Sequence, residues 1–348
     1  MAAQSLLELH AQAGATTGER DGVAVALAYP AALASSLAPD AVIVADISHR
    51  PVFRLEGDDV RRWTNGMFTN NTRRLQPGQG NRHCACDDRG RVKGILDLYF
   101  LADDRVRIVL DGMLLEDFEQ RYQMYLLLDD IEMESEDVVV LTVQGGATDA
   151  ILTALELPVP VEDHAHTTAT GEWEGIVVCR RDRIARTGVD LLVPPAQAPT
   201  IWRALLAAGV LPMGVDDLHG LRVVAGRVTF PIDASDKSMV HELGLNTDCC
   251  AFDKGCYVGQ EIINRIDVRG AFQKCVTTVL LESHVPQGAS VRVDGKIMGT
   301  LTSRTTYNGQ ELGLGVLRKA AWPVGTELTV PLEDGGVVAG RVVEAPLF

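Results

Sequence analysis

Two hydrophobic periods alternate along the chain, and the places where one gives way to the other predict its elements. Residues 1–40 are alanine-rich and predict helix, interrupted at Tyr29-Pro30. The apolar runs Val42-Ile43-Val44 and Val52-Phe53-Arg54-Leu55 predict strands. Asp58-Asp59 predict a helix start running past Trp63, because acidic side chains suit a helix N-terminus. After the turn Gln76-Pro77-Gly78-Gln79-Gly80, residues 82–111 predict a meander broken at Asp87-Asp88-Arg89-Gly90 and Asp103-Asp104.

Leu115, Phe118, Tyr122 and Tyr125 then recur near a helical period, predicting a helix over 114–128. A strand at 138–143, Gly145-Gly146 and a helix at 148–155 follow. Residues 156–175 predict an acidic loop, 176–180 and 189–193 strands, and 199–208 and 215–226 helices. From residue 276 the helical period stops, and short strand-like runs alternate with glycine and proline turns, the pattern of a small barrel or sandwich. The order predicts an α+β fold with antiparallel sheets and a terminal all-β unit. A doubly wound fold would need strands and helices in regular alternation.

Length and charge narrow the picture. At 348 residues the chain exceeds one ordinary core, and with 46% hydrophobic and 23% charged residues its composition is globular. A net charge of −15 repels nucleic acid, so none is expected as a partner. The local basic run Arg180, Arg181, Arg183 and Arg186 is expected to be a solvated face. No run of 18 apolar residues predicts a membrane span, and the first residues do not read as a secretory signal.

The seven cysteines, irregularly spaced, predict reduced thiols in a cytoplasmic compartment; a monomer is expected. Cys84-Ala85-Cys86 and Cys249-Cys250 lack the spacing of zinc or cluster ligands and predict packing residues. His164 and His166, in the acidic loop, are expected at the surface. No metal is expected.

The densest chemistry lies in Lys254-Gly255-Cys256-Tyr257-Val258-Gly259-Gln260-Glu261. Two glycines four apart bracket a cysteine and a tyrosine, and Gln260-Glu261 open a helical pattern. Glycine admits backbone conformations and close approaches closed to other residues. A cysteine just before a helix and two residues from a lysine sits where dipole and cation both favour a thiolate. The competing reading is a small buried hydrophobe in a tight turn.

This octapeptide resembles the signature of YgfZ-type folate-binding proteins, paralogues of the glycine cleavage T-protein in the aminomethyltransferase superfamily. Asp46-Ile47-Ser48, Gly90-Arg91-Val92, Val143-Gln144-Gly145, Leu221-Arg222-Val223-Val224-Ala225-Gly226-Arg227 and His241-Glu242-Leu243-Gly244-Leu245 continue the resemblance in order, from about residue 40 onward.

The resemblance implies a three-domain folate-binding ring of the T-protein type with a C-terminal antiparallel β-barrel. Residues 1–55 with 137–270 would form the folate-binding α+β domain, 56–136 an inserted α+β domain, and 271–348 the barrel. Tetrahydrofolate, or a one-carbon derivative, would lie in or near the central opening. A carboxylate can grip the pterin edge by two hydrogen bonds, while the anionic tail wants arginine.

By position in the family pattern, Asp190 is the pterin candidate, in competition with a solvent-facing role. Arg222 faces either the tail or an internal carboxylate. Asp111, Tyr257 and Gln260 complete the cofactor set. Lys254 and Cys256 form the functional centre, with Cys256 a nucleophile or a redox-sensitive thiol.

One departure separates the branches. Amine transfer needs a carboxylate near the reacting nitrogen. The positions that hold the T-protein's acidic pair are Gly94 and Ile95 here, and the nearest acid is Asp97. Asp97 substitutes only if strand parity is kept or a bulge intervenes. That departure argues against amine transfer, and the resemblance to the YgfZ-type branch implies instead folate-dependent support of iron–sulfur enzymes, with those enzymes as partner proteins. A tetrahydrofolate-dependent aminomethyltransferase using Asp97 and a ligand-free scaffold are the alternatives.

Overall fold

Three sheets carry the molecule in the computed structural model, which describes residues 5–30, 37–270 and 272–348. The first has six strands in the order His166–Thr168, Val177–Arg180, Gly188–Val193, Val139–Gly145, Val42–Asp46, Leu211–Met213. Neighbours are antiparallel except for the last pair. The second has five antiparallel strands in the order Gly80–Cys86, Val92–Ala102, Arg105–Asp111, Val52–Glu56, Glu132–Ser135. Residues 274–343 close a six-stranded antiparallel barrel, the all-β unit predicted from the end of the helical period.

The two open sheets each spend one face on helices. Ala198–Ala207 buries Ala198, Ile201, Trp202 and Leu205, a helical stripe, against Val189, Leu191 and Val193 of the six-stranded sheet. Leu115–Leu126 buries Phe118 and Tyr122 against Phe53 of the five-stranded sheet and against Trp63 and Phe68 of helix Val60–Met67 and its C-cap. The opposite faces of the two sheets look toward a common seam. Alternation along Gly188–Val193 sends Val189, Leu191 and Val193 to the helices and Gly188, Asp190 and Leu192 to the seam. Along Val92–Ala102, Leu96, Leu98 and Phe100 face the helix, leaving Ile95, Asp97 and Tyr99 on the seam side.

The N-terminal prediction fails between residues 13 and 30. Helix Leu6–Gln12 forms, with Ser5 and Glu8 in a capping box, but a hairpin of Thr16–Arg20 and Val23–Ala28 replaces the rest. Its turn is Asp21-Gly22, both left-handed at φ 50° and 79°, a pair whose twist matches antiparallel strands. Of the rest of the predicted helix, residues 1–4 and 31–36 lie outside the described residues, and 37–40 are coil and turn, not helix. Strand Val52–Glu56, expected with residues 1–55, is hydrogen-bonded into the five-stranded sheet. No helix among the described residues is long and apolar enough to cross a membrane.

Candidate functional site

The seam holds an ion-pair lattice. From the six-stranded sheet come Asp190 and the loop Arg181-Asp182-Arg183; from the five-stranded sheet come Arg82, Asp97 and Asp111. Asp190 takes Arg183 in a two-pronged grip, Nε at 2.9 Å and Nη2 at 2.5 Å. Asp97 takes Arg181 Nε at 3.0 Å, His164 Nε2 at 3.2 Å and Arg183 Nη2 at 3.4 Å. Asp111 takes Arg50 Nη1 at 2.8 Å, with Arg82 and Arg183 at 3.7 and 3.8 Å, all through Oδ2.

Local sequence fixes the arginine loop. Gln144 accepts the Arg183 backbone N–H at 2.9 Å and donates to the Arg181 carbonyl at 2.9 Å. Gly188 makes room for that amide, since a Cβ there would lie 2.1 Å from Gln144 Oε1. Asp182 Oδ1 accepts the N–H groups of Ile184 and Arg186, closing the turn.

Burial and charge compete throughout. Burial alone would raise Asp97, but Arg181, His164 and Arg183 outweigh it and hold the carboxyl well below the usual range. Asp111 is likewise held down, chiefly by Arg50 against the opposing effect of burial. Burial opposes charge on Arg183, yet Asp190 and Asp97 raise it above an ordinary arginine. Burial and Arg50 push the His49 imidazole down to about 4, so it is neutral at physiological pH.

Two chambers open on this lattice. The larger, about 730 Å³, runs past His49, Arg50, Asp111 and Arg222 toward the barrel residues Gln287 and Arg304. The smaller, about 480 Å³, lies on the His164 and Arg180 side. Arg82, Arg181, Asp182 and Arg227 border both. Buried nitrogens without hydrogen-bond partners belong to residues lining the larger one: His49 Nδ1, Arg50 Nε and Nη1, Arg82 Nε and Arg222 Nε. Four of the five are guanidinium donors, so the chamber suits a ligand rich in acceptors and negative charge.

Arg222 is anchored. Its Nη1 donates to Asp233 at 2.6 Å and its Nη2 to Ser303 Oγ at 2.7 Å, while Asp233 also accepts from Ser303 and Thr302. The internal-carboxylate reading of Arg222 is thus realised, and its side chain still borders the chamber.

Sequence-predicted residues fall into two groups. Asp97, Asp111, Asp190 and Arg222 converge on the seam, and Asp111 and Arg222 reach the larger chamber itself. Asp190, 1% exposed, does not, because Arg183 covers its carboxylate. Its solvent-facing alternative fails for the same reason. Strand pairing runs without a shift from Gly94 to Tyr99, so Asp97 shares a face with Ile95 and opposes Gly94.

Lys254, Cys256, Tyr257 and Gln260 border neither chamber. Cys256 is exposed, so the buried-hydrophobe alternative fails. Lys254 Nζ turns inward and donates to the carbonyls of Asn70 (2.5 Å) and Phe68 (2.7 Å), above the Tyr257 ring. Burial pulls it down to about 7. It serves the backbone that follows helix Val60–Met67 and not the thiol.

Two expectations are overturned. Arg180, Arg181 and Arg183 are buried at 8%, 5% and 8% exposure, not a solvated face. Each finds a carboxylate: Asp149, Asp97 and Asp190. His164, predicted at the surface, is 5% exposed and bridges Asp97 and Asp163. The missed participants are Arg50, Arg82, His49 and Gln144. One sequence signal pointed there: a lone acid within the apolar strand Ile95-Leu96-Asp97-Leu98-Tyr99-Phe100 demands a buried cation.

The family model of the GCVT N-terminal domain matches residues 6–254. The chain belongs to that family. It is 28% identical over 306 residues to a chloroplastic protein of Arabidopsis thaliana, covering 86% of this chain and 70% of the relative. An aminomethyltransferase of Rippkaea orientalis is 27% identical over 319 residues, covering 87% and 85%. The crystal structure of glycine cleavage system aminomethyltransferase T from Bartonella henselae superposes with a TM-score of 0.88 over 99% of this chain and 98% of that one, at 20% identity. The GCVT-family chain therefore has the α+β fold of the glycine cleavage T-protein, ending in a closed antiparallel barrel.

Proposed function

We propose that this chain is a tetrahydrofolate-binding protein of the YgfZ-type branch that supports iron–sulfur enzymes and does not transfer amines. The carrying observation is Asp97: at 1% exposure, engaged by two arginines and a histidine, it has no surface left for a reacting nitrogen. A catalytic carboxylate must touch the atoms it serves.

The larger chamber suits folate in its donors. Arg222, Arg50 and their orphaned N–H groups would meet the tail carboxylates and the pterin carbonyl. The pterin N–H edge would fall to Asp111 Oδ1, since the arginine contacts of Asp111 converge on Oδ2. Asp190 would act behind Arg183, fixing its fork. Bound folate supplies a reduced nitrogen pair able to carry a one-carbon unit; the residues here bind and orient it.

The exposed thiol of Cys256 is a separate surface. A side chain outside the chamber suits a macromolecular client better than the folate, which supports the YgfZ-type reading drawn from the octapeptide. Titration calorimetry with tetrahydrofolate should give saturable binding, and Cys256→Ala should leave it unchanged while losing support of iron–sulfur enzymes in a deletion strain. Full support by Cys256→Ala would remove the thiol from the function.

Aminomethyl transfer is the second reading, favoured by the likeness to relatives named aminomethyltransferase over most of their length. Steady-state formation of methylene-tetrahydrofolate from a methylamine-type substrate would establish it and overturn the first.

A further inference from the structure

Four guanidinium groups and three carboxylates meet in the lattice: Arg50, Arg82, Arg181 and Arg183 against Asp97, Asp111 and Asp190. Arg50, Arg181 and Arg183 each have a carboxylate oxygen within 3.0 Å, at 2.8, 3.0 and 2.5 Å, although the Arg50 Nη1 contact lacks hydrogen-bond geometry. Arg82 has none so close. Its nearest carboxylate oxygens lie at 3.7 Å (Asp111) and 4.0 Å (Asp97), its Nε is buried without a partner, and its side chain is 7% exposed. It stands on the wall common to both chambers. An under-paired buried cation is costly, and the ordinary remedy is a bound counter-ion.

We propose that Arg82 is the seat of a ligand oxyanion at the junction of the two chambers, one carboxylate- or phosphate-type group completing the charge balance of the lattice. Arg82 lies opposite Asp97 in the strand register, so its stem is fixed by the sheet and its fork is presented ready-made. Arg181 and Arg227, which border the same two chambers, are spent on Asp97 and on Asp182 and Asp248. That leaves Arg82 as the arginine on the shared wall with hydrogen-bond capacity to offer, whereas Arg50 and Arg222 line the larger chamber alone. The inference deepens the folate reading by naming the residue that takes the ligand's negative end, but the seat needs only an oxyanion. That anion is either a folate tail carboxylate or a separate small oxyanion.

The full-length protein and Arg82→Gln are titrated with inorganic phosphate, with p-aminobenzoyl-glutamate (the pterin-free half of folate) and with tetrahydrofolate, by calorimetry and thermal unfolding in chloride buffer. Arg304→Gln, which removes a chamber arginine away from the lattice, controls for general charge. Wild-type protein should bind at least one of the first two. Arg82→Gln should weaken that binding about ten- to a hundredfold, the worth of a charge-assisted contact, and Arg304→Gln by less. Without anion, Arg82→Gln should melt no lower than wild type, because a buried excess charge has been removed.

Competition between phosphate and p-aminobenzoyl-glutamate assigns the seat to the tail, and independent binding assigns it to a separate oxyanion. Equal affinities in wild type and Arg82→Gln, or no binding of either probe, overturn the proposal. If Arg82→Gln does not fold, Arg82→Lys decides: it keeps the charge but not the fork, so unchanged affinity overturns the proposal and a severalfold loss supports it. Anion binding that depends on Arg82 without tetrahydrofolate binding would sink the folate reading alone. Tetrahydrofolate bound equally by both proteins, with no anion effect, would sink only this one.

Discussion

The arginine seam and the Lys254–Glu261 bend are opposites. The bend is contiguous in sequence, visible at a glance, and places its cysteine in solvent. The seam is scattered, and its members become a site only when two sheets face each other across it. Arg181 and Asp97 are 84 positions apart, and Arg183 and Asp97 are 86. The motif whose chemistry could be read directly borders neither chamber, while the chambers carry no contiguous motif. Lys254 joins them mechanically by holding the carbonyls of Phe68 and Asn70, which precede the strand bearing Arg82.

The sharpest break of that comparison is Arg183→Leu. It strips Asp190 of its buried partner and Asp97 of one of several, leaving buried carboxylate charge uncompensated. A loss of about 3–5 kcal/mol in urea unfolding is expected. A loss below about 1 kcal/mol would mean that the lattice is no structural unit.

Much of the fold could be read in advance, and the failures have physical causes. Helices 115–126 and 198–207 announce themselves because one apolar stripe meets one sheet. The barrel announces itself through turns. The hairpin at 16–28 hides because Ala24-Val25-Ala26-Leu27-Ala28 has no period that separates strand from helix, so only Asp21-Gly22 betrays it. The arginine run misleads because local charge says nothing about partners supplied by a distant strand. Where an acid interrupts an apolar strand, as at Asp97, the cost of burying it bare should have outweighed the habit of placing arginines outside.

Within the bend, the two glycines differ, and that difference sharpens the contrast. Gly259 has φ 82°, and a Cβ there would lie 2.6 Å from the Asp87 carbonyl. Gly255 has nothing within 4 Å of its notional Cβ. Gly259→Ala should therefore cost about 1–3 kcal/mol. Gly255→Ala should cost under about 0.5 kcal/mol. Thermal unfolding of both variants tests this ordering. A functional loss in Gly255→Ala at native stability would place the need for that glycine in what approaches Cys256 and not in the fold.

The smallest effect is a slope. Burial would lower His164, but its hydrogen bonds to Asp163 and Asp97 win and raise it above the usual imidazole range. A histidine raised in the folded state contributes stability fully below its unfolded pKa of about 6.5, and loses it as pH rises through the folded value. Other groups titrate nearby with the opposite sign. Lys254, lowered to about 7, makes the protein more stable as pH rises toward its unfolded value. His166, lowered by burial, adds stability up to the ordinary imidazole range.

Both groups are common to wild type and His164→Gln, so the difference between the two stability curves isolates His164. Wild type should lose stability relative to His164→Gln as pH rises above about 6.5, with the gap flat at lower pH until the carboxylates titrate. A gap independent of pH between 6 and 9 would mean that His164 is neutral beside Asp97, held by shape and not by charge. The lattice would then carry one positive charge fewer, with Arg82 still its under-paired member.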